Sequence, residues 1–72
     1  MKISYYPETD SLYIDLSAKR SAESREVSTG VVLDYDADGN LTGIDIDKAS
    51  VKLDLTEIIL SKLPAEFQRL SA

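Results

Sequence analysis

The stretch from Gly30 to Asp47, GVVLDYDADGNLTGIDID, constrains the fold more than any other part of the chain. Two alternating runs rich in Val, Ile, Leu and Tyr flank Asp38-Gly39-Asn40, residues that tolerate the positive φ of a tight hairpin turn. Parity then sets the register. With Asp38 and Gly39 as a two-residue loop, Leu33 falls opposite Ile44, Val31 opposite Ile46 and Tyr35 opposite Thr42, which gathers the apolar side chains on one face. A three-residue loop would scramble that face. The other face carries Asp34, Asp36 and Asp45 beside Val32 and Leu41, with Asp47 following.

A second hairpin is expected from residues 2–6 and 11–17 around Pro7-Glu8-Thr9-Asp10, where Pro presets the turn and Asp can bond its own backbone. A four-residue loop sets Tyr5 opposite Leu12, Ile3 opposite Ile14 and Met1 opposite Leu16 on one face. Lys2 then meets Asp15, and Ser4 meets Tyr13, on the other. Residues 18–22 are small and charged without periodicity, so they read as a mobile connection. Glu23 to Val27 is a short extended piece. Ser28-Thr29-Gly30 interrupts it with a kink or bulge, giving one bent strand or two short ones.

After Lys48 the pattern changes. Val51, Leu53 and Leu55 alternate with Lys52 and Asp54, as in a last short strand or the approach to a helix. Asp54 with Glu57 has the form of a capping box, and Leu55, Ile58, Ile59 and Leu63 follow on one stripe, so the spacing predicts a helix from about 55 to 63. Pro64 stops it and opens a short second helix over 65–70, with Phe67 and Leu70 as an apolar pair. The expected fold is α+β, an antiparallel β-meander of four to five strands in two hairpins packed against a C-terminal helix. It forms a single domain over residues 1–72, with the meander in 1–48 and the helical segment in 49–72.

Such a chain builds one small core, burying only about 60% of the surface its unfolded form exposes, and a partner can complete it. The net charge is −5, and its whole excess sits in residues 34–47, which hold five Asp and no Lys or Arg. That field repels nucleic acid and anionic membrane and favours cations or a basic protein surface. Lys19, Arg20 and Arg25 are too few for a phosphate-binding footprint. Without Cys, His or Trp the chain lacks thiolate chemistry, histidine acid–base catalysis and the usual zinc or haem ligands. The start, Met-Lys-Ile-Ser-Tyr-Tyr, has no signal-peptide apolar region and no run reaches a membrane span, so a cytoplasmic location is expected.

Several short motifs together resemble a known family. They are Tyr6-Pro7-Glu8-Thr9-Asp10-Ser11-Leu12-Tyr13-Ile14, Glu26-Val27, Gly30-Val31-Val32-Leu33-Asp34-Tyr35-Asp36, Asp38-Gly39-Asn40-Leu41 and Gly43-Ile44-Asp45-Ile46. Over roughly residues 3–50 the chain resembles the small bacterial proteins catalogued as domain of unknown function 2283. The usual Tyr-Asp-Pro opening of that family reads Tyr5-Tyr6-Pro7 here. The resemblance implies no activity and no catalytic residues. It does suggest an antitoxin-like role, since some members look like one half of small two-gene modules beside a toxin-like gene.

Three site readings compete. Asp34, Asp36, Asp38 and Asn40 nearly match a calcium loop, but Asp45 stands where a bidentate Glu belongs and the flanks are strands rather than helices. Paired carboxylates could do acid–base work, which needs a desolvating cleft that a small meander lacks. Tyr5, Tyr6, Tyr13 and Tyr35 lack the positive groove of a base-stacking surface, so they read as packing. The mixed face of Val32, Asp34, Asp36, Leu41 and Asp45 suits a protein interface in which charge steers the encounter and apolar side chains hold it. The expectation is therefore a non-enzymatic protein-binding module without cofactors, antitoxin-like, taking a basic protein partner. The alternatives are a divalent-cation site at the Asp34/Asp36/Asp38 turn and a self-associating homodimer.

Overall fold

The structure is a computed structural model and describes residues 1–56. Five antiparallel strands make one sheet: β1 (Lys2–Tyr6), β2 (Ser11–Asp15), β3 (Glu23–Ser28), β4 (Val31–Tyr35) and β5 (Leu41–Ile46). A one-turn helix, α1 (Ala49–Lys52), follows. The sheet is not a meander. Its spatial order is β1-β2-β5-β4-β3, so β2 lies beside β5 rather than β3. The side chains explain the choice: β2 sets Leu12 against Ile46 and Ile14 against Ile44. By contrast β3, Glu-Ser-Arg-Glu-Val-Ser, offers no apolar alternation and is exposed at every position. Such a strand belongs on an edge.

Residues 16–22 therefore cross one end of the sheet. They are tied at both sides, with the Leu16 N–H donating to the Thr42 carbonyl (2.8 Å) and the Ala22 N–H to the Tyr35 carbonyl (2.7 Å).

The first hairpin has the register that parity predicts, with Tyr5 opposite Leu12, Ile3 opposite Ile14, Lys2 opposite Asp15 and Ser4 opposite Tyr13. The central hairpin keeps Leu33 opposite Ile44 and Val31 opposite Ile46 but not the expected two-residue loop, and Tyr35 lies opposite Leu41 rather than Thr42. The Asp36 N–H donates to the Asn40 carbonyl (2.8 Å) and the Gly39 N–H to the Asp36 carbonyl (3.0 Å), enclosing a three-residue loop with Gly39 at φ 83. A bulge then absorbs the extra residue: Tyr35 pairs with Leu41 while Asp34 pairs with Gly43, leaving Thr42 over. Beyond the bulge Leu33 still faces Ile44 and Val31 still faces Ile46. A third hairpin joins β3 to β4 through Thr29 and Gly30, the latter at φ 72, so Gly30 reverses the chain rather than kinking a single strand.

Pairing across all five strands yields two faces. One row of the apolar face runs Ile3, Ile14, Ile44, Leu33, Arg25, and the next runs Tyr5, Leu12, Ile46, Val31. The outer face carries the rows Ser4, Tyr13, Asp45, Val32, Glu26 and Lys2, Asp15, Gly43, Asp34, Ser24.

Helix α1 is held at the opposite end of the sheet from the crossing loop. Ala49 is fully buried. Its N–H donates to the Asp10 carbonyl (2.8 Å), and the Asp10 carboxylate accepts from the Ser50 N–H (3.1 Å), the Ser50 hydroxyl (2.6 Å) and the Tyr5 hydroxyl (2.7 Å). Asp10 thus caps a helix that follows it by some forty residues in sequence. Asp54 accepts from the N–H (3.1 Å) and hydroxyl (2.6 Å) of Thr56, two residues on, while Glu57, the other half of the expected capping box, lies outside the described residues. The expected helices over 55–63 and 65–70, and their packing on the sheet, lie outside the described residues. Among the described residues no helix is long and apolar enough to cross a membrane.

Candidate functional site

The outer face is organised around Tyr13. From β2 its ring reaches over Gly43 of β5 to β4, where the hydroxyl donates to Asp34 Oδ2 (2.8 Å). The other oxygen of Asp34 accepts from the Ser24 hydroxyl on β3 (2.6 Å). Gly43 is what permits this: a Cβ there would lie 2.6 Å from Tyr13 Cζ, closer still to its hydroxyl, and 3.3 Å from the Ile14 carbonyl. One polar chain thereby spans four neighbouring strands. The Tyr13 hydroxyl is pushed up to about 12, first by its bond to Asp34, then by burial and by the negative charges of Asp34, Asp15 and Asp45. Three acids therefore bear on one half-buried phenol, and the base among the strand residues of this face, Lys2, sits on the edge strand.

Of the residues expected to form a binding face, the structure brings Val32, Asp34 and Asp45 together, with Val32 and Asp45 directly paired. Asp45 is exposed and Val32 half-buried. Asp36 and Leu41 do not join them. The Asp36 side chain is only 7% exposed and turns into its own loop, where Oδ1 accepts the N–H groups of Asp38 and Asn40, both at 2.9 Å. Those bonds, Asn40 first, hold its carboxyl below the usual carboxylate range, aided by the charge of Lys19. Leu41 is drawn by the bulge into pairing with Tyr35 of the apolar face.

Asp15 belongs to the outer face, beside Gly43, and was not among the expected residues. Its sequence signal was the Lys2–Asp15 pairing, but only the β2–β5 contact places it near Asp45 and Asp34.

Asp34, Asp36, Asp38 and Asn40 do not form an ion cage. Among the described residues no three acidic side chains converge in a group that could hold a metal ion. Asp34 lies on β4 and Asp36 in the loop that follows it, and the carboxylates of both are engaged in internal hydrogen bonds. Thermal melting in millimolar calcium is expected to leave the midpoint where it is in chelator; a clear rise would restore the cation reading.

The family described as "Protein of unknown function (DUF2283)" matches over residues 2–50. The chain belongs to this family. The matched span takes in all five strands, the Tyr13–Gly43–Asp34 crossing, the Asp36 turn, and Asp10 with its partner Ser50. The features that organise both faces thus lie within the family's own extent, and its description assigns them no activity. No curated protein and no solved structure matches the chain.

Proposed function

We propose that this chain is a small non-enzymatic protein-binding module, antitoxin-like in action, whose outer sheet face engages a basic surface of a protein partner. The supporting observation is the charge layout around Tyr13. Asp15, Asp34 and Asp45 all act on its hydroxyl, and apolar Val32 lies directly beside Asp45. Asp34 is spent on holding Tyr13 in place, but its negative charge still contributes to the field of the face. Asp45 is the freest of the three acids, exposed and without a side-chain hydrogen bond among the described residues. Charge of this kind steers a basic partner and sets its orientation, while Val32 and the Tyr13 ring supply apolar contact. A cationic ribonuclease-like surface has the matching chemistry.

The test is capture from the lysate of the source cell on immobilised protein, wild type beside an Asp15→Asn/Asp45→Asn variant. Both substituted positions leave the Tyr13–Asp34 bond intact. The expected result is a basic protein retained by the wild type, released by salt and lost by the variant. Equal retention by both forms would remove the outer face from the binding site.

A further inference from the structure

We infer that the free edge of β3 pairs antiparallel with β3 of a second copy of this chain, joining two five-stranded sheets into one about a two-fold axis perpendicular to the sheet. β3 ends the strand order and is exposed at all six of its positions. Its backbone bonds run to β4, and among the described residues no other backbone group bonds the main chain of residues 23–28. The alternate N–H and C=O groups that point away from β4 are therefore a template for one more strand.

Charge selects both the partner strand and its register. A two-fold axis perpendicular to the sheet keeps every side chain on its own face, so it passes between one residue and the same residue of the copy. Centred on Glu23, Arg25 or Glu26, the pairing sets like charge directly on like charge, which destabilises it. Centred on Ser24, it sets Glu23 of each chain opposite Arg25 of the other, and Glu26 opposite Ala22. Past Glu26 the bulge at Val27 shifts the register and ends the regular strand. The opposite edge, β1, carries Lys2 as its one charge, so no register there joins opposite signs.

Glu23 and Arg25 stand on the same side of β3, bridged at 2.8 Å, with side chains 59% and 63% exposed. Arg25 is further fixed by the Tyr35 ring, 5.3 Å from its centroid. Across the axis the two pairs close into a ring of four alternating charges, the kind of network in which exposed ion pairs count. On the other side the Ser24 hydroxyl keeps its bond to Asp34. The two Asp34 carboxylates then stand three strand spacings apart, about 14 Å, beyond the screening length of about 8 Å at physiological salt. So short an edge contact is smaller than a standard interface, and the dimer it makes is a weak one.

Sedimentation equilibrium of the full chain, from about 10 to about 500 μM, tests this by mass action, beside amide spectra recorded over the same dilution. The expected result is a dimer whose concentration-dependent amide shifts centre on residues 22–26. Its dissociation constant should rise about tenfold in Arg25→Glu, since the axis counts each lost pair twice, and recover in Glu23→Arg/Arg25→Glu. Both positions are exposed on an edge strand, so the variants are expected to fold. A monomer across the whole range, shifts centred elsewhere, a dimer that Arg25→Glu leaves unchanged, or a loss that the double exchange does not restore would overturn the proposal.

Discussion

Gly43→Ala is expected to destabilise the fold by about 2–4 kcal/mol, as much as a core truncation, although it adds one methyl group on a sheet face. The added Cβ meets the end of the Tyr13 ring and sits 3.3 Å from the Ile14 carbonyl. The ring can swing away only by giving up its bond to Asp34, a neutral donor on a charged acceptor, worth about 1.5–3 kcal/mol. The small gain from restricting the unfolded chain, about 0.4–1 kcal/mol, does not offset this. The cause is separable by a double-mutant cycle. In a Tyr13→Ala background the same substitution is expected to cost less than about 1 kcal/mol, a coupling well above the error of additivity. Urea unfolding of the four proteins measures it. An equal cost in both backgrounds would show that something other than Tyr13 excludes a side chain at position 43.

Acid is expected to unfold the protein through the turn and cap carboxylates. Asp10 is held below the usual carboxylate range first by the Ser50 hydroxyl and then by the Tyr5 hydroxyl. Asp36 is lowered first by the Asn40 N–H, and Asp54 first by the Thr56 hydroxyl. A carboxylate with a lower pKa in the folded than in the unfolded chain stabilises fully above its unfolded value, about 3.9, and loses that contribution as pH falls through its folded value. The melting midpoint should thus be flat from neutral pH to about pH 5 and fall steeply below about pH 4. Asp36→Asn can still accept the N–H groups of residues 38 and 40, so it should keep most of the neutral-pH stability and flatten the acid limb. Asp36→Ala should lower the midpoint at every pH, because two loop N–H groups lose their acceptor. Melting curves of the three proteins at matched pH values distinguish these outcomes.

Both hairpins were legible because their registers follow from local alternation, and the structure keeps Leu33 opposite Ile44 and Ile3 opposite Ile14. The loop length was not legible. Asp38-Gly39 supports either a two-residue turn or a three-residue turn with a bulge, and the choice rests on Asp36 capping its own loop. Strand order is a non-local property: nothing near Asp15 or Glu23 announces that seven residues cross the sheet, although the lack of an apolar alternation in β3 was a usable hint. The candidate face was half legible for the same reason. Val32, Asp34 and Asp45 sit on the central hairpin, whereas Tyr13 and Asp15 join them only through the β2–β5 pairing. Asp10 looked like turn chemistry alone, and its cap on α1 became visible only when Ser50 stood beside it.

The most direct test of the outer face is the association rate of the captured partner with the wild type and with Asp15→Asn/Asp45→Asn, measured over a range of ionic strength. Steering by the acidic face predicts a wild-type rate that falls steeply as salt screens the field, and a variant rate that is slower at low salt and much less salt-dependent. Superimposable salt profiles for the two proteins would contradict the account and place the binding surface elsewhere.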